Sequence, residues 1–241
     1  MRGNRTIAGA VVAALAPPAR AEQLQRIAQR LRAARLELAT LVTTEQGKPL
    51  PEALGEVDKA AETFVFYAEE AKRWPGELIA NDDPAYLSLV VYEPVGVVAA
   101  ITPWNYPLEL ITWKVAAALA AGCTIVVKPL ELTPLAPLAY ARCLTEAGLP
   151  DGVLNMLTGP GRSVGRMLVQ SPIAAKIAFT GSTATGLAIM RGLTDVKRLS
   201  LELGGNCPML VGHGADLDRA VRGAVRRAFR NAGQICIAIN R

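Results

Sequence analysis

The stretch GCTIVVKPLELTPLAPLAYARCLTEAGLPDGVLNMLTGPGRSVGRMLVQSPIAAKIAFTGSTATGLAIMRGLTDVKRLSLEL, residues 122–203, decides the fold. Thr124–Lys128 is a short apolar strand after Gly122, and Leu135–Glu146 is a helix closed by Gly148 and Pro150. Val153–Leu157 reads as the next strand and Ser163–Gln170 as the next helix. Lys176–Thr180 is a strand running into Gly181, followed by a helix to Leu193 and a strand over Arg198–Leu203. Strands alternating with helices of this length imply parallel pairing, since a parallel neighbour is reached only through a crossover. The expected fold class is therefore α/β, a doubly wound parallel sheet.

Outward from that stretch, Glu22 to Thr43 carries Leu24, Ile27, Leu31, Leu38 and Leu41 at helical spacing, with charges between them. Gly47 and Pro49 stop this helix, and a second runs from about Pro51 to Arg73. Tyr86-Leu-Ser-Leu-Val-Val-Tyr92 alternates as a strand does, and Val95 to Ile101 reads as another. In the other direction Leu217, Ala220, Val221, Ala224, Val225, Ala228 and Phe229 form an apolar stripe at helical period. Arg219, Arg222, Arg226, Arg227 and Arg230 lie on the same segment, Asn231-Ala-Gly233 ends it, and Cys236 follows.

Composition narrows the classes. With 51% apolar but only 5% aromatic residues, the chain suits packed helices over a sheet better than a β-sandwich, and is too apolar to be disordered. The net charge of +5 is spread over helix faces, so a nucleic-acid or membrane partner is not expected and the arginines read as a solvated face. Four cysteines without a C-x-x-C pair, and one histidine, His213, give no zinc set and point to free thiols in a reducing compartment. No apolar run reaches the roughly 18 residues of a membrane span. Met1–Arg5, Ile7–Leu15 and Ala19-Arg20-Ala21 have the form of a signal peptide. The apolar part is Ala-rich and also reads as an amphipathic helix before a Pro17-Pro18 break, so the expected location is the cytoplasm.

Taken singly, the motifs are weak. Gly181-Ser-Thr-Ala-Thr-Gly186, between a strand and a helix, could bring the backbone close to a pyrophosphate, but a plain turn accounts for it as well. Cys236 alone reads as a small buried hydrophobe. A papain-like pairing with the single histidine fails, so a nucleophilic Cys236 would need help from a carboxylate, backbone amides or a cofactor's charge.

Taken together, five blocks change the reading. Thr102-Pro-Trp-Asn-Tyr-Pro107, Lys128-Pro-Leu-Glu-Leu-Thr-Pro134, Phe179-Thr-Gly-Ser-Thr183, Leu201-Glu-Leu-Gly-Gly205 and Gly233-Gln-Ile-Cys236 occur in this order. Block for block the chain resembles the aldehyde dehydrogenase superfamily, from about Pro18 onward. The resemblance implies a Rossmann-like cofactor domain over residues 1–204, with bridging strands at about 78–98, and the start of a catalytic domain over 205–241. It makes Cys236 the nucleophile that adds to the aldehyde carbon. Asn105 becomes the side-chain amide that stabilises the oxyanion, and Glu202 the general base. Without the other blocks, Asn105 would be an Asx-type turn and Glu202 a surface strand end. Relatives that pass the acyl group to coenzyme A usually lack that glutamate, so its presence favours hydrolysis to the free acid.

Cofactor contacts are implied for Thr102, Pro103, Trp104, Lys128, Glu131, Gly181 and Ser182. Lys128 and Glu131 would meet the adenosine ribose, and a carboxylate there repels a 2′-phosphate, so NAD is expected in preference to NADP. For the substrate the chain is most similar to the succinate-semialdehyde dehydrogenase branch. Arg230 matches one arginine for the distal carboxylate, whereas Trp113 stands where that branch has a second, and Ala238 stands at its second cysteine. A general aliphatic or aromatic aldehyde thus remains open as substrate. Members of the family are about twice this length and form homo-oligomers, so the expectation is a truncated chain with little or no turnover. Tyr86–Val98 would then be a bridging hairpin that exposes an edge and an apolar face. A nucleotide-binding or interaction protein that keeps only the Rossmann-like half is the alternative; a basic binder acting through the helix at 217–230 ranks below both.

Overall fold

The computed structural model describes residues 15–241, so the basic and apolar segment before them lies outside it. Helix α1, Pro17–Ala33, opens on Pro17 and Pro18. Proline suits a first helical turn because its missing N–H has no partner there anyway, so the pair starts a helix and does not merely break one. The single helix expected over Glu22 to Thr43 is two: the chain bends at Ala34 (φ −92°, ψ 10°) before α2, Arg35–Gln46. Gly47 ends α2 in the left-handed region, at φ 87°. Helix α3, Leu50–Glu70, follows and stops one turn short of Arg73. Leu24, Ile27 and Leu31 of α1 are buried, as are Ala53, Val57, Ala60, Ala61, Phe64 and Ala68 of α3. Alanines recurring at that spacing let the helices approach closely.

Strands β1, Glu77–Ile79, and β2, Ser88–Val90, form a separate antiparallel hairpin. The hairpin therefore begins earlier and ends sooner than expected. Val97 and Val98 belong instead to β3, Val97–Ile101, the central strand of the main sheet. Helix α4, Glu109–Ala120, comes next, an element that the periodicity did not announce. Then follow β4 (Thr124–Lys128), α5 (Leu135–Glu146), β5 (Leu154–Met156), a π-type turn (Gly161–Gly165) running into α6 (Arg166–Gln170), β6 (Ala174–Thr180), α7 (Thr183–Arg191) and β7 (Arg198–Glu202). The alternation read from residues 122–203 holds, with ends moved by a few residues.

All neighbours in the five-stranded sheet are parallel, in the order β5-β4-β3-β6-β7. The order reverses between β3 and β6, where the crevice outside the strand C-termini lies in such sheets. Alternation along the strands divides the core. Val98, Ala100 and Ala178 face α1–α5, while Ala99, Ile177 and Phe179 face α6 and α7. Ile101 aligns with Lys128 and with Phe179, and Thr180 with Glu202, so these strand ends open at one rim.

Beyond β7 the chain leaves the sheet. Helix α8, Leu217–Phe229, is capped by Asp216, whose carboxylate accepts from Arg219 N at 3.0 Å. The final segment returns beside residues 207–209 through a parallel bridge between Cys207 and Ile239.

Candidate active site

A crevice of about 1050 Å³ lies at the reversal point of the sheet, and Thr102, Pro103, Trp104, Lys128, Glu131, Gly181 and Ser182 all line it. Lys128, the last residue of β4, is buried, yet its ammonium reaches Glu131 Oε2 at 2.6 Å. Glu131 is half-exposed, Gly161 N donates to its other oxygen at 3.4 Å, and the Lys128 ammonium holds its carboxyl below the usual carboxylate range. A fixed anion thus stands at the rim over a buried cation.

On the opposite side of the crevice, α7 begins at Thr183 with Ser182 as its cap; Ser182 Oγ accepts from Thr185 N at 3.2 Å. The N–H groups of that first turn are what a phosphate-bearing ligand binds. Gly181 lets the backbone pass close to the Phe179 ring, since a Cβ there would lie 2.5 Å from it and the ring would have to shift. At Gly186 a Cβ would meet Leu203 at 2.6 Å, so this glycine lets α7 sit close to the chain leaving β7. The crevice therefore has a helix N-terminus, close-approaching backbone and a Lys–Glu pair, a set that fits a dinucleotide.

The second half of the site is the loop between β3 and α4, held from below. Lys48 and Glu56 form an ion pair with both side chains buried. Glu56 Oε1 accepts from Leu108 N at 2.8 Å and Glu109 N at 3.1 Å, which satisfies the start of α4. Lys48 Nζ also donates to Asn105 O at 2.9 Å and sits 4.0 Å from the centre of the Tyr106 ring. Burial pulls the Lys48 ammonium down, and burial pushes the Tyr106 hydroxyl up to about 12.

The segment after α8 closes on this loop. Asn231 and Ala232 take φ of 56° and 55°, a region costly for residues with a Cβ. Asn231 is buried; its Nδ2 donates to Asn105 O (2.9 Å) and Gln234 O (3.0 Å), and its N donates to Glu52 Oε2 at 2.6 Å. Asn105 Nδ2 donates to Gln234 O at 3.0 Å, and Trp104 Nε1 to Gln234 Oε1 at 2.6 Å. Asn105 is thereby brought within two residues of Cys236. Cys236 itself is exposed in a turn closed by Ala238 N to Ile235 O at 3.1 Å, contrary to its reading as a buried hydrophobe.

Glu202 ends β7 on the exposed rim, and its carbonyl accepts from Gly181 N at 3.0 Å. Among the described residues no hydrogen bond joins it to Cys236. Sequence reasoning missed Lys114 on α4, whose Nζ donates to Thr180 Oγ1 at 2.6 Å. Burial draws its ammonium down to about 8, against the opposing charge of Glu202. The available signal was that Lys114 is the only charged residue between Glu109 and Lys128. Asn231, Lys48 and Glu56 were missed as well, because they act through burial and backbone shape.

Of the expected substrate residues, Arg230 is exposed and lines a smaller groove with Glu52, Lys59 and Phe229. Its charge acts on Tyr106 and Glu109, one helical turn before the exposed Trp113. No hydrogen bond among the described residues joins Arg230 to its neighbours through the side chain. Nor does any group of three or more His, Cys, Asp or Glu among those residues have the arrangement to hold a metal ion. No helix among them is long and apolar enough to cross a membrane.

Comparison with known proteins decides the family. The model of the aldehyde dehydrogenase family matches residues 6–241, starting earlier than the motifs alone indicated. The chain belongs to the aldehyde dehydrogenase family. It is 51% identical over 223 residues to a mitochondrial succinate-semialdehyde dehydrogenase of Arabidopsis thaliana, covering 92% of this chain and 42% of that protein. It is 49% identical over 206 residues to the NADP-named succinate-semialdehyde dehydrogenase GabD of Escherichia coli, covering 85% of this chain and 43% of that protein. The crystal structure of PnpE in complex with nicotinamide adenine dinucleotide superimposes with a TM-score of 0.93 at 40% identity, covering 96% of this chain and 48% of that one. Its relatives in the family thus include proteins associated with either dinucleotide, and the chain spans about half the length of those it matches.

Proposed function

We propose that this chain carries the cofactor crevice and the nucleophile of an enzyme that oxidises an aldehyde to a carboxylic acid. The observation that carries the reading is the 3.0 Å bond from Asn105 Nδ2 to Gln234 O, which seats a side-chain amide two residues from an exposed thiol. Cys236 Sγ adds to the carbonyl carbon and forms a thiohemiacetal. Asn105 Nδ2 leaves Gln234 O and, with the Cys236 N–H, holds the developing oxyanion; one such donor is worth about 3 kcal/mol of barrier. Glu202 takes a proton from the thiol and later from the water that cleaves the thioester, and Lys114, on which the Glu202 charge acts, holds a proton that leaves at about pH 8. Lys128, Glu131 and the first turn of α7 would hold a nicotinamide dinucleotide, which would supply the acceptor for the hydride lost from the thiohemiacetal. A carboxylate at position 202 supports hydrolysis to the free acid as the final step.

Lys128 and Glu131 would hold the adenosine ribose, and the anionic Glu131 supports NAD over NADP by repulsion of a 2′-phosphate. The names of the two relatives and the position of Arg230 support succinate semialdehyde as substrate; Trp113 in place of a second arginine leaves room for less charged aldehydes. Four free thiols support a reducing, cytoplasmic setting, and the exposed β1–β2 hairpin supports assembly into a homo-oligomer. An apolar stripe left open on α8 supports the view that residues 1–241 alone do not sustain turnover.

The test is covalent protection. Succinate semialdehyde is expected to slow alkylation of Cys236 by iodoacetamide several-fold, with Cys207 as internal reference, and Asn105→Ala is expected to remove most of that protection. Equal alkylation of Cys236 with and without aldehyde would overturn the assignment of the nucleophile.

A further inference from the structure

We infer that Cys207 is a resolving thiol for Cys236, so that the pair closes a reversible disulfide when Cys236 meets hydrogen peroxide. Cys207 Sγ lies 3.9 Å from the carbonyl oxygen of Cys236. The space between them opens over Gly205: a Cβ there would lie 2.9 Å from that oxygen and 3.8 Å from Cys207 Sγ. A side chain at 205 would press on the Cys236 carbonyl; glycine lets the backbone of Cys236 come close to the Cys207 thiol.

The approach is held in register. Cys207 bridges Ile239, Asn240 N donates to Cys207 O at 3.1 Å, and Met209 N donates to Arg241 O at 2.8 Å. These bonds tie the segment carrying Cys207 to the one carrying Cys236. A disulfide requires Cα atoms about 4.4–6.8 Å apart and a defined dihedral. The bridge therefore requires Cys236 to turn its side chain toward Cys207, a movement open to a residue in an exposed turn closed by a single backbone bond. Exposure separates this pair from the other two thiols: Cys236 is exposed and Cys207 half-buried, whereas Cys123 and Cys143 are buried in the core under α1–α5.

The chemistry balances with peroxide as the two-electron oxidant. The Cys236 thiolate attacks one peroxide oxygen, the O–O bond breaks, and hydroxide leaves, giving a sulfenic acid. The Cys207 sulfur then attacks the sulfenic sulfur; the S–S bond forms and the S–OH bond breaks. The hydroxyl leaves as water with the Cys207 proton. Without a resolving thiol, a second peroxide carries the sulfenic acid to the irreversible sulfinic acid. The bridge does not depend on the role of Cys236 toward aldehydes. That it would protect the enzyme and switch it off does rest on that reading.

Trypsin places the two cysteines in separate peptides, residues 199–219 and 231–241, each with one cysteine. The reduced 241-residue protein is treated with a few equivalents of hydrogen peroxide, blocked with N-ethylmaleimide, digested without reductant and analysed by mass spectrometry. The expected result is a linked 199–219/231–241 peptide that dithiothreitol separates, with Cys123 and Cys143 still alkylatable after unfolding. Cys207→Ala and Cys207→Ser, checked for native circular dichroism, should each raise the sulfinic form of Cys236 several-fold. Sulfinic acid at equal rates in all three proteins, or a bridge from Cys236 to any other thiol, would overturn the proposal. Aldehyde protection in the same protein is a separate readout, so failure of the bridge and failure of the nucleophile assignment are distinguishable.

Discussion

Helices α3 and α8 carry the same kind of pattern, an apolar stripe at helical period with charges opposite, yet they end in opposite states. Along α3 the stripe is sealed: Phe64 and Ala61 are 0% exposed and Val57 is 1%. Along α8 no residue is buried, and Phe229 and Leu217 remain 74% and 68% exposed. The β1–β2 hairpin belongs with α8, since Leu78, Tyr86, Leu87 and Leu89 lie open on it. An amphipathic pattern therefore states that a helix needs a cover without stating where the cover comes from. The sheet and α1–α5 cover one another, whereas α8 and the hairpin present apolar surface that residues 15–241 do not close.

The contrast can be broken most sharply in the covered half. Phe64→Ala should cost about 3–5 kcal/mol in urea unfolding, the cost of a cavity in a packed core. A loss below about 1 kcal/mol would mean that α1 and α3 do not pack against each other in solution.

The next effect is carried by Lys114, whose folded-state pKa near 8 lies below the ordinary lysine value. Between that value and about 10.4 the unfolded chain binds more protons than the folded one, so stability must rise with pH across this window. Relative to Lys114→Met, the protein should gain up to roughly 3 kcal/mol from pH 8 to pH 10.4, a ceiling set by the shift at about 1.4 kcal/mol per unit. A flat difference between the two proteins across that range would mean that Lys114 is hydrated rather than buried beside Thr180.

The smallest effect belongs to the open stripe. Phe229→Ser should change unfolding stability by less than about 0.5 kcal/mol, as exposed substitutions do, while raising solubility. A loss comparable with Phe64→Ala would show that α8 is covered after all, by another copy or by chain beyond these residues.

The same contrast explains what the sequence made legible. Strands β4 to β7 and the helices between them are bounded by glycine, proline and polar clusters, and they were found within a few residues. Helix α4 was not, because the run from Leu110 to Ala121 is apolar almost all round. It is buried on nearly every side and so shows no period. The break at Ala34 was invisible because neither glycine nor proline marks it. In the site, all seven expected cofactor residues line one crevice, and Asn105 meets the segment of Cys236. Those positions came from ordered motifs matched to a family; no single spacing reveals them. Lys48, Glu56, Lys114 and Asn231 were missed because their roles come from burial, from bonds between distant segments and, for Asn231, from a left-handed backbone.

The crevice between β3 and β6 is lined by Lys128, Glu131 and the start of α7, the groups proposed to hold the dinucleotide. Titration calorimetry of the 241-residue protein with NAD, and with NADP as comparator, tests that role most directly. Saturable binding that favours NAD, and that weakens in Lys128→Ala while circular dichroism stays native, is the predicted result. No heat from either nucleotide in a natively folded protein would mean that the crevice holds no dinucleotide, and tighter binding of NADP would mean that Glu131 does not exclude a 2′-phosphate.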